Sequence, residues 1–304
     1  MKKIIIIGGS GFIGQSLARH CSAAGYEVVI IARSRPTSLP ESIRFSLWDG
    51  VTLGTWVDEF TNAYAVVNLA GRSVDCIKTP DNCDEILRSR VQSTLTVGKA
   101  LNKAVNPPNI WIQMSTAHIY GDPPSQLCTE DSPTGYGLAP FVGKAWEEAF
   151  YSVVPKTCRY SILRTSFVIG KNGGAMTKLK LITRLGLGGK VGSGKQGLSW
   201  IHEYDMNEII RTCIENESYS GMYIATAPNP VSQHEFMQTL RKEMNIRIGL
   251  PSPEFAIRLG ARFLFKTDPE LVLYGRYLKS RRLEEQEFQF RFPTLQPALK
   301  DLLS

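Results

Sequence analysis

No two cysteines are spaced as CxxC, and none of the six, at positions 21, 76, 83, 128, 158 and 213, stands with a histidine at a zinc-ligating spacing. That excludes a disulfide framework and a structural zinc as the basis of folding, and the thiols read as isolated and reduced. Neither device is needed: 304 residues with 43% hydrophobic content are enough to bury a core. No stretch approaches the roughly 18 consecutive apolar residues that span a bilayer. The N-terminal apolar run, residues 4–7, is too short for a signal peptide and gives way at once to glycine. The expected location is cytoplasmic, with no membrane partner. Internal repeats and low-complexity tracts are also lacking. Acidic residues are in the minority, 28 against 35 Lys and Arg, which leaves a net charge of +7. The excess is scattered: its densest cluster, residues 279–282, is short and is followed by Glu284, Glu285 and Glu287. With no nucleic-acid motif beside it, this charge excludes a nucleic-acid partner and suits small anionic ligands such as dinucleotides and nucleotide-sugars.

What the chain does have is alternation. Residues 4–7, 27–32 (EVVIIA), 44–47, 65–69 (AVVNL), 109–115 (NIWIQMS) and 160–165 (YSILRT) read as strands. Between them, residues 12–24 carry Phe12, Ile13, Leu17 and Ala18 at helical spacing and stop at Gly25. A second helix runs from about 83 to 103, stopped by Pro107 and Pro108, and a third lies around 144–151. Such βαβ units predict an α/β fold, a Rossmann doubly wound parallel sheet with a smaller C-terminal substrate lobe. The expected division is a dinucleotide-binding core over 1–170 and a lobe over 171–304 interleaved with it, including a helical domain at about 250–304. In that lobe, residues 185–197 (LGLGGKVGSGKQG) read as a loop near the ligand, and residues 233–244 as a helix.

GGSGFIG, residues 8–14, sits between the first strand and the first helix, with Gly8, Gly11 and Gly14 at GxxGxxG spacing. Glycine is needed where φ is positive, where the backbone meets a pyrophosphate, and where helix packs on strand. The helix start then offers free N–H groups to phosphates. Phe12 and Ile13 supply two of them. NAD-preferring sites place a carboxylate at the end of the second strand; here it reads Ala32-Arg33-Ser34-Arg35, with no acid. Arg33 can pair with a 2′-phosphate, so the expected cofactor is NADP(H).

Longer strings carry a resemblance. GGSGFIG, VNLAG (67–71) and STAHIYG (115–121) resemble the extended short-chain dehydrogenase/reductase superfamily. ILRSR (86–90), KAWEEA (144–149), LRTSFVIGKNGGAM (163–176), LGLGGKVGSGKQGLSWIHEYD (185–205) and FPTLQPALKDLL (292–303) narrow it. Together they look like the SulA-type nucleoside-diphosphate-sugar epimerase family, whose members carry a short C-terminal domain of unknown function. The resemblance implies that Ala32 and Arg33 meet the adenosine 2′-phosphate and that Leu69, Ala70 and Gly71 line the adenine ribose side. It implies further cofactor contacts at Glu85, Arg90 and Val168. Arg90 stands where extended enzymes often keep an asparagine.

Active members of the superfamily use Ser or Thr with a YxxxK pair, the tyrosine as general acid and base. Thr116 falls at the superfamily's hydroxyl position, and Ser115 matches the serine this narrower family keeps. Either can position a substrate oxygen, or both cap the loop. Lys144 is present, but four residues before it stands Pro140. Tyr136 is too far along the helix for the standard role, unless its loop folds inward, and Tyr120 is the other candidate proton donor. Asp205 reads as a helix N-cap, and His202 as a core histidine or a substrate contact. Lys190 and Lys195 either grip an anionic group or ride on a surface loop. The expected function is an NADP(H)-dependent oxidoreductase or epimerase acting on a small sugar-nucleotide or anionic substrate, as monomer or homodimer. The alternative is a non-catalytic NADP(H)-binding sensor or scaffold.

Overall fold

The computed structural model describes residues 1–37, 39–123, 126–263 and 266–304, with backbone alone at 261–263. Its central sheet has seven strands: β1 (Lys3–Ile7), β2 (Glu27–Ala32), β3 (Arg44–Leu47), β4 (Ala65–Asn68), β5 (Ile110–Thr116), β6 (Arg159–Thr165) and β7 (Gly221–Ala225). They lie in the order β3-β2-β1-β4-β5-β6-β7, and every pairing is parallel. The main helices are α1 (Phe12–Ala23), α2 (Pro80–Leu101), α3 (Leu138–Val153), α4 (Met176–Arg184), α5 (Glu203–Glu215), α6 (Gln233–Glu243), α7 (Glu254–Phe263) and α8 (Leu295–Leu303).

The four isoleucines of β1 explain the layering. Side chains alternate across a strand, and a parallel strand covered on both faces is apolar throughout. Ile4 and Ile6 pack with Leu17 of α1 and Ile209 of α5, while Ile5 and Ile7 pack with Val97 of α2 and Phe150 of α3. All four are fully buried. The winding reverses between β3 and β4, so a crevice opens past the carboxyl ends of β1 and β4.

Element limits shift from the sequence reading for local reasons. The second helix starts at Pro80 because Thr79 caps it, its hydroxyl accepting from Asn82 N at 3.2 Å, and proline suits the first helical position. The third starts at Leu138, well before Lys144, after Gly137 turns the chain with φ of 101°. Asp205 is not the N-cap of α5. That position belongs to His202, whose Nδ1 accepts from Tyr204 N at 3.0 Å. Asp205 lies inside the first turn, fully buried, and accepts from Arg291 N (2.8 Å) and Phe292 N (3.0 Å).

The C-terminal part has its own apolar cluster, in which Met176, Trp200, Phe236 and Leu240 meet Phe292, Ala298 and Leu299. His202 belongs to it, its ring tilted 33° over Phe292 at 4.1 Å between centroids. Its Nε2 lies 3.4 Å from Asp301 Oδ2 without making a hydrogen bond. Burial depresses its pKa, so this is a neutral core histidine. The loop 185–197 is pinned by Val191 N donating to Gln233 Oε1 (2.9 Å) and His234 N donating to Gly194 O (3.0 Å), with Lys190 and Lys195 exposed. Among the described residues, no helix is long and apolar enough to cross a membrane.

Candidate functional site

The crevice is floored by the glycine turn. Gly8 has φ of +72°, and a Cβ there would stand 2.8 Å from Ala70 N; one on Gly14 would stand 2.5 Å from Gly9 Cα. These two glycines let the turn lie against β4 and the helix lie against the turn. Gly11 differs: a Cβ there would meet only Gly8 O, at 3.5 Å, so the space above it is open. Gly11 gives α1 no side-chain cap, and the N–H groups of Phe12, Ile13 and Gly14 have no acceptor among the described residues. An open glycine turn under unpaired N–H groups fits a diphosphate. The Phe12 ring points away into a cradle of glycines. A Cβ on Gly170 would fall 2.3 Å from its Cζ, and one on Gly173 2.6 Å from its Cδ2.

On the β2 side, Ala32 is buried and Arg33 is exposed, with no ion-pair partner among the described residues. At the end of β4, Asn68 sets the wall, a role the sequence reading missed. It is fully buried, its Nδ2 donates to Gln113 Oε1 (3.0 Å) and Thr94 Oγ1 (3.3 Å), and its Oδ1 accepts from Ala70 N (3.1 Å). A buried amide inside an apolar strand was the available signal. Leu69 and Ala70 are half-buried beside it, and Gly71 is exposed. A Cβ on Gly71 would press on the Arg90 guanidinium at 3.3 Å, so glycine leaves that group its space. Arg90 lies over the Trp146 ring at 5.1 Å and donates to Ile86 O at 3.0 Å. Burial lowers its pKa to about 10, and no carboxylate pairs with it among the described residues. Glu85 is exposed and pairs with Arg72.

The two candidate hydroxyls at the end of β5 part company. Ser115 is buried and donates to Glu147 Oε1 at 2.6 Å. Glu147, from α3, also takes Arg164 of β6 through two bonds of 2.8 and 2.7 Å. Arg164 Nη1 donates to the Tyr120 hydroxyl at 2.9 Å, and burial pushes that phenol up to about 12. Ser115, Glu147, Arg164 and Tyr120 thus form one buried polar chain under the crevice floor. Thr116 is half-buried, and its Oγ1 accepts from His118 N at 3.1 Å. Lys144 is exposed on α3, and Tyr136 is 96% exposed, so its loop does not fold inward. Val168 is 9% exposed in a short strand, 167–169, that pairs with 200–202.

A parallel sheet that winds both ways from β1, with an open glycine turn at its switch point, places the chain among Rossmann-type α/β proteins of the extended short-chain dehydrogenase/reductase superfamily. The chain belongs to the NAD dependent epimerase/dehydratase family, which matches residues 4–224; residues 252–302 match a domain of unknown function, DUF1731. It is 30% identical to the Epimerase family protein SDR39U1 homolog, chloroplastic, of Arabidopsis thaliana, over 99% of this chain and 86% of that protein. It is 29% identical to Epimerase family protein SDR39U1 of Homo sapiens, over 99% of this chain and 100% of that protein. A crystal structure of the human protein (isoform2) with NADPH superposes with a TM-score of 0.87 at 28% identity, over 99% of both chains. The nucleoside-diphosphate sugar epimerase from Corynebacterium glutamicum superposes with a TM-score of 0.78 at 25% identity, over 99% of this chain and 58% of that one.

Proposed function

We propose that the chain is an NADP(H)-dependent oxidoreductase or epimerase acting on a small substrate. The observation that carries the cofactor is Arg33: an exposed guanidinium with no ion-pair partner among the described residues, at the end of a strand where an NAD site would hold an acid. The human relative crystallised with NADPH supports the same reading. The diphosphate would lie on the N–H groups of Phe12, Ile13 and Gly14, the adenine ribose against Leu69, Ala70 and Gly71, and a further oxyanion of the cofactor against Arg90, with Glu85 at the rim. Bound there, the nicotinamide would supply hydride transfer near Val168. Thr116 is the hydroxyl that would orient a substrate oxygen, since the hydroxyl of Ser115 is committed to Glu147. Lys144, exposed on the crevice-side helix, would reach the nicotinamide ribose.

Replacing Arg33 with alanine should weaken NADPH binding by about tenfold to a hundredfold, the worth of a charge-assisted hydrogen bond. NADH binding should hardly change. Titration of both cofactors, followed by nicotinamide fluorescence, checks this, and equal losses would remove the 2′-phosphate role. Three observations favour a second reading, a non-catalytic NADP(H)-binding sensor or scaffold. Pro140 occupies the usual tyrosine position, Tyr136 faces solvent, and the Tyr120 hydroxyl is held by Arg164. Single-turnover oxidation of bound NADPH by small carbonyl compounds separates the two.

A further inference from the structure

Among the described residues, burial lowers the pKa of two guanidinium groups, and neither is in an ion pair with a carboxylate. Arg90 is one, and the cofactor reading above accounts for it. The other is Arg276. Its backbone is fixed from several directions: Arg276 N donates to Gly197 O (2.8 Å), Gly275 N to Asp122 Oδ1 (2.6 Å), and Ser199 Oγ to Arg276 O (2.9 Å). Gly275 and Gly197 cross so closely that a Cβ on Gly275 would stand 2.1 Å from Gly197 O. The side chain is anchored once, Nε donating to Gly121 O at 2.6 Å. Its two terminal nitrogens have no partner among the described residues, and neither is sealed from solvent. Burial nevertheless lowers the group's pKa to about 10; Asp122 acts on it through space but forms no ion pair with it.

Where this guanidinium sits decides its use. Gly121 N donates to His118 O at 3.0 Å, and His118 N donates to Thr116 Oγ1, so Arg276 is tied to the turn that begins at the candidate substrate hydroxyl. His118 is half-buried, and burial followed by the charges of Arg276, Lys78 and Arg90 holds its imidazole neutral. Lys78 lies on the loop after β4, its Nζ donating to Val74 O (2.5 Å) and Cys76 O (3.5 Å), with Asp268 Oδ2 at 3.8 Å. A cation held rigidly and part-buried, with two donor nitrogens that have no partner among the described residues, is costly unless an anion completes it.

We propose that Arg276, with Lys78 and the neutral His118, binds an oxyanion of the substrate beside Thr116. The substrate is then a small acid, a carboxylate or a phosphate ester whose charge lies close to its reacting carbon. This rests on the cofactor reading above only for the place of the nicotinamide. A sugar nucleotide whose only charge is its diphosphate, separated from the reacting carbon by a sugar ring, would not use these donors in this way.

The test uses the full chain loaded with NADPH and titrated separately with inorganic phosphate, acetate and UDP, binding being read by nicotinamide fluorescence and by calorimetry. Saturable binding of phosphate or acetate is expected, and whichever binds names the oxyanion. Arg276→Gln should weaken it about tenfold or more, and Lys78→Gln severalfold, with Arg276→Lys between wild type and Arg276→Gln. The NADPH affinity of each variant should stay within about twofold of wild type. Anion binding unchanged in Arg276→Lys and Lys78→Gln would overturn the proposal, even where Arg276→Gln fails to fold. So would UDP binding far more tightly than phosphate and indifferent to Lys78→Gln. Failure of wild type to prefer NADPH over NADH would defeat the cofactor reading instead, and leaves the anion titration to be read on its own.

Discussion

A carboxylate shut away from water survives only with its charge and lone pairs satisfied, and Glu147 is satisfied three times over, by one hydroxyl and two guanidinium nitrogens. Removing the charge leaves Arg164 buried without an anion. Glu147→Gln should therefore cost about 3–5 kcal/mol, read as a large fall in melting temperature. Lys144→Gln, on the same helix but exposed, should leave that temperature nearly unchanged. Ser115 and Tyr120 were visible in the sequence as hydroxyls next to a strand end. Their engagement was not, because Glu147 comes 32 residues after Ser115 and Arg164 comes 44 after Tyr120, and no local periodicity encodes such a pairing. Arg276 was illegible for the same reason, meeting Gly121 across 155 positions.

At the scale of elements, the strand, turn and helix that open the chain could be read directly. Apolar run, glycines and helical spacing are adjacent in sequence, so local propensity and global fold agree there. The start of α2 was read late because the polar first turn of a helix carries no apolar signal; its evidence was the cap at Thr79. The loop after the 167–169 strand illustrates what spacing cannot reveal. Its glycines carried no spacing signal, yet Gly170 and Gly173 are glycine because the Phe12 ring fills the place of their side chains. Gly173→Ala should therefore overpack the contact and lower stability by about 1–3 kcal/mol. By displacing the first residue of α1, it should also weaken NADPH binding. Urea unfolding and cofactor titration on the same preparation check both effects.

For the whole molecule, the titration of two histidines sets the response to acid. Burial holds His118 and His202 neutral in the folded protein, below their ordinary value of 6.5. The unfolded chain thus takes up protons that the folded chain refuses. The stability these groups lend is complete above the ordinary imidazole range and is lost as pH falls through it. Asp205 works in a lower window: its pKa is raised by burial, so its contribution is present below the ordinary carboxylate range and is lost as pH rises through the folded value. The melting temperature should therefore fall between pH 7.5 and 5.5, roughly the span over which an unperturbed imidazole titrates. His202→Phe should flatten that fall while lowering stability through the lost cap; an unchanged slope would show that burial does not depress this imidazole. Phe12 and its glycines lie far apart in sequence, one on the first helix and the others past the sixth strand of the sheet, and they are a single lock. Evolution cannot vary one side of it alone. Across an alignment of relatives, lineages with a smaller residue at position 12 should be those that admit a side chain at position 173, and the two columns should drift together.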